Sequence, residues 1–210
     1  MLAFTRDALA ACGVPDGDAE IAARQMIEAD LTGFDAHGIF RLTAYCKTLQ
    51  NGRVKAKADI KVLRRSPATA LVDGDDGIGH LVMTYCANLA VELARQSGIG
   101  WVGARNSNHA GAAGIYAAMP VAHGMVGIYA AVSTINNMAP WGGAEALLGT
   151  NPIAVGIPAG KEAPVLLDIA TSVSSFGNIR RYAIAGTPMP EGWVVHSKTG
   201  EPITDPKKVS

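Results

Sequence analysis

Apolar residues recur at helical spacing through the first third of the chain and give way to short strand-like runs beyond it. Thr5 can cap a short helix ending at Gly13, Pro15 breaks it, and Asp16 or Asp18 can open a second that carries Ile21, Ala22, Met26 and Ala29 and stops near Gly33. A third is expected from Gly38, because Leu42, Tyr45, Cys46 and Leu49 fall at i, i+3, i+4 and i+7 and Asn51-Gly52 supplies the stop. From Ile60 the texture changes. Residues 60–64 and 69–73 read as strands, and Asp73-Gly74-Asp75-Asp76-Gly77 as dense turn chemistry. A helix over roughly residues 80–96, with Val82, Cys86, Leu89 and Leu93 on one face, leads through Gly98 to a strand over 99–104. A small-residue helix over 111–119, a strand over 125–132, a long connection over 133–149, strands over 153–157 and 165–169 and a last helix over 172–185 complete the pattern. A boundary near residues 52–66 separates an N-terminal helical region, 1–58, from a domain over 59–210 in which helix and strand alternate. Such alternation favours a layered α/β fold.

Composition narrows the function classes. With 210 residues, 49% of them apolar, the chain can bury about 70% of its unfolded surface. Lys+Arg 18 balance Asp+Glu 18, so no domain-wide positive field draws the chain to nucleic acid or to an anionic membrane. The apolar stretches are far shorter than the ~20 residues of a spanning helix. Arg6-Asp7 interrupts what would have to be the apolar core of a secretion signal, so the chain reads as cytoplasmic. Cys12, Cys46 and Cys86 are widely spaced and suggest neither a disulfide framework nor a zinc cage.

Four segments carry candidate chemistry. In Asp35-Ala36-His37-Gly38-Ile39-Phe40-Arg41, a helix starting just before Gly38 would set His37 and Arg41 four residues apart on one face. That pair suits a 2-oxo acid, with the guanidinium fork on the carboxylate and the imidazole handling the proton on the adjacent oxygen. The same spacing also serves a helix-terminal His on a carbonyl and a solvated Arg. Next, Ala104-Arg105-Asn106-Ser107-Asn108-His109-Ala110-Gly111 leaves a strand and enters a helix, the place where α/β sheets bind ligands, and would hold His109 at the crevice mouth. Its Asn and Ser residues serve equally as turn formers. The connection from Ser133-Thr134 through Pro140-Trp141-Gly142-Gly143 to Gly149-Thr150-Asn151-Pro152 is longer than the usual 4 to 6 residues, which favours a binding loop over a structural one. Finally, Asp168 ends an apolar strand before Ile169-Ala170-Thr171-Ser172, where it can orient a His, bind a ribose hydroxyl or cap the next helix.

Some chemistries are disfavoured. Gly74-Asp75-Asp76-Gly77-Ile78-Gly79 lacks the Gly-x-Gly-x-x-Gly spacing of a Rossmann site, and there is no P-loop. Gly-x-Ser-x-Gly is missing, which disfavours a serine hydrolase at Ser107. His80, His123 and His196 have no ligand partner at i+3 or i+4, so no metal is expected.

Taken in order, Asp35-Ala36-His37-Gly38-x-x-Arg41, Asn106-Ser107-Asn108-His109-x-Gly111, Pro140-Trp141-Gly142-Gly143 with Leu148-Gly149-Thr150-Asn151-Pro152, Asp168-Ile169-Ala170-Thr171-Ser172 and Pro190-Glu191-Gly192-Trp193 resemble the non-Rossmann malate/L-lactate/L-sulfolactate dehydrogenase family. The resemblance implies a three-layer α/β/α fold on a mixed sheet, a homodimer, and NAD- or NADP-dependent hydride transfer between a 2-oxo acid and its 2-hydroxy acid. It also implies the site residues: His37 as acid/base, Arg41 on the substrate carboxylate, His109 as a second active-site His, and Asp168, Ile169, Ala170 and Thr171 with Ser133 and Thr134 lining the cofactor. Two departures stand out. Ala36 replaces the Ser or Thr that many members carry before His-Gly, so a substrate hydrogen bond of about 1 kcal/mol is missing or replaced. Members are also typically longer, so the domain over 59–210 is expected to be an incomplete cofactor-binding domain. This keeps a second reading open, a non-catalytic assembly unit without a competent cofactor site.

Overall fold

The first helices assemble around one apolar cluster. The structure, a computed structural model, describes residues 1–133 and 135–209. α1 (Leu2–Ala11) and α2 (Asp16–Leu31) are joined through Gly13, whose φ of 91° makes the turn, and Pro15, which stands at the N-cap of α2. Leu9, Ala19, Ala22 and Met26 bury against Leu42 and Leu49 of α3 (Leu42–Gln50). Thr5 is not a cap. It lies wholly buried inside α1 and satisfies its hydroxyl by donating to the Met1 carbonyl at 3.2 Å.

The chain enters α3 through two 3-10 turns, Asp35–His37 and Ile39–Arg41, and not through one helix running on from Gly38. The cause is Asp30 on α2. Its carboxylate accepts the Ile39 N–H at 3.0 Å, and it fills the space beside Gly38 so closely that a Cβ there would lie 1.8 Å from Oδ1. Gly38→Ala is therefore expected to cost about 1 to 3 kcal/mol in denaturant unfolding, the usual range for overpacking. Unchanged stability would mean that Asp30 swings aside freely.

The first sheet has the order β1 (Lys61–Arg65), β2 (Thr69–Gly77), β3 (Trp101–Ser107). β1 pairs antiparallel with β2, and β2 parallel with β3, the crossover being α4 (Gly79–Ser97), so the sheet is mixed. Val82, Cys86, Leu89 and Leu93 of α4 bury against Ala70 and Val72 of β2, the helical face expected from the periodicity. Residues 73–77 do not turn away as expected. They stay in β2 as far as the Gly77–Ser107 pairing, with a register shift between Asp73 and Gly77 that Asp75 (φ 49°) and Asp76 (φ 54°) absorb. The Asp73 carboxylate holds this irregular edge, accepting from Arg105 Nε at 3.0 Å, Asn106 Nδ2 at 3.1 Å and the Asp75 N–H at 3.0 Å.

A short α5 (Ala113–Ala118) follows, running into a 3-10 turn, Met119–His123. The second sheet has the order β4 (Gly127–Ala130), β5 (Ile153–Ile157), β6 (Val165–Ile169). Gly127 and Gly156 let these strands approach α5, since a Cβ on either would fall within 2.3 Å of the Ala117 carbonyl oxygen. α6 (Phe176–Ala185) is capped by Ser175, whose hydroxyl accepts the Asn178 N–H at 3.2 Å, and not by Thr171 or Ser172. The chain divides into two compact units, one made of Met1–Ile128 and Val155–Leu166, the other of Tyr129–Ala154 and Leu167–Ser210. No helix among the described residues is long and apolar enough to cross a membrane.

Candidate active site

The first unit gathers its ionisable aromatic side chains in one place. His37 closes the first 3-10 turn, Arg41 the second, and Tyr45 follows one turn into α3. His80 lies in the first turn of α4, and His109 in the connection from β3 to α5. That connection is pinned by backbone. Asn108 Nδ2 donates to the carbonyls of Asp76 (2.9 Å) and Gly77 (3.0 Å) at the end of β2. Gly79 lets α4 start against it, since a Cβ at 79 would meet the Asn108 carbonyl oxygen at 2.1 Å. Ser107 donates to the Asn108 carbonyl at 3.3 Å, so its hydroxyl is a loop contact.

The rings of His37 and His109 stack with centroids 5.4 Å apart and planes 16° from parallel. Tyr45 meets His80 edge-on, at 5.3 Å and 84°, and its hydroxyl lies 2.5 Å from His109 Nδ1. The same nitrogen accepts the Gly111 N–H at 3.3 Å. Behind His80, Thr84 donates to the His80 carbonyl at 2.7 Å and accepts from Gln25 Nε2 at 2.5 Å, while Tyr116 donates to Gln25 Oε1 at 3.2 Å. The Ala110 carbonyl also accepts from Tyr116.

Charge is unevenly distributed over this cluster. Burial of His80 holds its pKa down at about 4, with His37 acting in the same direction. The atoms crowded around the His109 ring depress its pKa, and the positive charges of Arg41, His37 and His80 add to the effect, although the residue keeps an exposed edge. Burial pushes the Tyr45 hydroxyl up, against the pull of Arg41, so it stays a proton donor. Arg41 is half-buried, spends Nε on the Ala36 carbonyl at 3.0 Å, and forms no ion pair among the described residues. Two neutral-leaning imidazoles beside a half-buried guanidinium make a site that takes an anion and handles a proton.

A family model described as malate/L-lactate dehydrogenase matches residues 1–210. The chain belongs to that family. It is 44% identical over 201 residues to a malate dehydrogenase of Pyrococcus abyssi, covering 94% of this chain and 54% of that protein. It is 42% identical over 206 residues to an L-sulfolactate dehydrogenase of Methanocaldococcus jannaschii, covering 96% and 58%. The solved sulfolactate dehydrogenase from Methanocaldococcus jannaschii superposes with a TM-score of 0.90 at 41% identity, covering 99% of this chain and 59% of that one. The malate dehydrogenase of Entamoeba histolytica superposes at 0.93 and 34% identity, covering 99% and 57%. The α/β architecture is thus that of the family, and the chain spans little more than half the length of these relatives.

The structure brings His37, Arg41 and His109 together in the first unit of this family member. The residues expected along the cofactor belong to the second. There Ser133 donates its N–H to Asn151 Oδ1 at 3.0 Å, and its hydroxyl accepts the Ile135 N–H at 3.3 Å; Thr134 lies outside the described residues. Asp168 is half-buried on β6, Ile169 ends that strand, and Ala170 is exposed beyond it. Thr171 donates both its N–H (2.9 Å) and its hydroxyl (3.1 Å) to the Thr150 carbonyl. Tyr45, His80, Gln25 and Tyr116 escaped the sequence reading as site neighbours. Tyr45 alone carried a signal, because it continues the four-residue spacing of His37 and Arg41.

Proposed function

We propose that the intact protein is an NAD(P)-dependent oxidoreductase that interconverts a 2-oxo acid and its 2-hydroxy acid, of the malate, lactate or sulfolactate kind. The carrying observation is the His37–His109 stack with the half-buried Arg41 guanidinium beside it. Arg41 offers its two terminal nitrogens to a carboxylate as a fork. His37 donates a proton to the substrate oxygen in reduction and takes it back in oxidation. His109 hydrogen-bonds the same region as a neutral ring. The names of the relatives support a 2-hydroxy acid substrate, and one of them, from Chromohalobacter salexigens, is named as NADP(+)-dependent.

A bound nicotinamide supplies or accepts the hydride that these side chains do not carry. The second unit's residues suit a polyhydroxylated dinucleotide. The segment from Asp168 to Ser175 is rich in hydroxyls, and Ser174 Oγ is buried without a hydrogen-bond partner among the described residues. Ser133, Thr134, Asp168, Ile169, Ala170 and Thr171 are the residues we assign to holding it. A homodimer in the cytoplasm, as the family resemblance implies, completes the reading.

The direct test is steady-state kinetics of the intact protein with 2-oxo acids and both cofactors, together with NAD(P)H titration. Turnover is expected; absence of NAD(P)H binding would leave only an assembly role. Arg41→Lys is expected to raise KM for the oxo acid about tenfold or more, a point charge replacing the fork, with NAD(P)H affinity nearly unchanged. Equal KM values would remove Arg41 from the carboxylate.

A further inference from the structure

We propose that Tyr45 is the positioning residue of the second imidazole: together with the Gly111 backbone it holds His109 as the neutral ring protonated at Nε2. Only the catalytic consequence rests on the function proposed above; the protonation pattern follows from the local geometry.

Two donors converge on His109 Nδ1. The Gly111 N–H points at it from 3.3 Å, and a backbone N–H can only donate, so Nδ1 presents its lone pair. The Tyr45 hydroxyl, 2.5 Å from the same nitrogen, then donates as well. The single N–H of the neutral ring is left at Nε2. Protonating Nδ1 would set one N–H against another and force the tyrosine hydroxyl to turn and accept. Arg41, His37 and His80, the other titratable groups that act on this ring, all oppose a positive charge on it.

The arrangement is rigid for reasons the residues supply. Gly111 has a φ of 76°, and a Cβ there would lie 2.7 Å from His80 Nε2, so the turn that aims its N–H requires glycine. The Tyr45 ring is braced edge-on by His80. A His109 held this way offers the substrate oxygen a neutral Nε2–H hydrogen bond, and donation of the reaction's proton falls to His37.

Nuclear magnetic resonance of the intact protein labelled with 15N-histidine reads the tautomer directly, the His109 signals being assigned by their loss in His109→Gln. At a pH where the ring is neutral, Nδ1 is expected to show the unprotonated type of resonance and Nε2 the protonated type. In Tyr45→Phe the Nδ1–H form is expected to gain population, the His109 titration to move up by about one pH unit, and kcat to fall roughly tenfold, the effect of one hydrogen bond. A proton on Nδ1 in the parent protein, or an unchanged tautomer and titration in Tyr45→Phe, would overturn the proposal. The expected tautomer in a parent protein that reduces no 2-oxo acid would uphold it while removing the dehydrogenase reading.

Discussion

His37→Ala is expected to lower kcat for 2-oxo acid reduction by at least about 10²-fold, and by more than His109→Ala does. The stack decides the ranking. Two unit charges 5.4 Å apart at an effective dielectric near 20 repel by about 3 kcal/mol, so the pair accommodates one imidazolium. His109 is the poorer host, because its Nδ1 already faces the donors of Tyr45 and Gly111. The proton therefore resides on His37. Reduction requires the protonated acid, so its rate is lost as pH rises through the His37 pKa, whereas oxidation requires the free base and is lost as pH falls. Both limbs should disappear in His37→Ala and survive, at reduced height, in His109→Ala. The reverse pattern in kcat against pH would transfer the acid role to His109.

The second large effect concerns stability. His80 is 1% exposed, and neither ring nitrogen has a hydrogen-bond partner among the described residues, so the fold holds it neutral. Its folded pKa, about 4, lies below the 6.5 of a free histidine. As pH falls below 6.5 the unfolded chain takes up the proton first, and stability declines until about pH 4, where both states are protonated. Above 6.5 the residue contributes no pH dependence. At about 1.4 kcal/mol per pH unit, the window amounts to about 3 kcal/mol. Asp73 and Asp75 have pKa values held below 3.8, chiefly by hydrogen bonds from backbone N–H groups, so they titrate beneath this window. Urea unfolding at pH 7.5 and 4.5 (near the ends of the window) checks the point: His80→Gln should lose less stability on acidification than the parent, by roughly 2 to 3 kcal/mol. Parallel losses in the two proteins would show that His80 does not titrate with folding.

The amino-acid sequence by itself determined where chain elements lie and which residue types the site contains. Periodicity reports that one face of a segment is buried, and so the apolar face of α4, the strands Ile153–Ile157 and Val165–Ile169 and the stop at Asn51-Gly52 were legible from it. The His37-Gly38-x-x-Arg41 and Asn108-His109-x-Gly111 motifs were legible too, because their side chains have few non-chemical reasons to cluster in order along one chain. What periodicity does not report is the partner. Asp30 beneath Gly38 turned an expected helix into two 3-10 turns, and pairing with β3 kept the Asp73–Gly77 run in a strand although its composition favours a turn. Tyr45 read as one more member of an apolar stripe, and His80 as a histidine without a ligand partner. Tertiary structure brought Tyr45 to His109, 64 residues away, and buried His80 behind it. Hydrogen bonds act over about 3 Å and burial is a property of surroundings, so the tautomer of His109 and the depressed pKa of His80 exist only once distant segments have met.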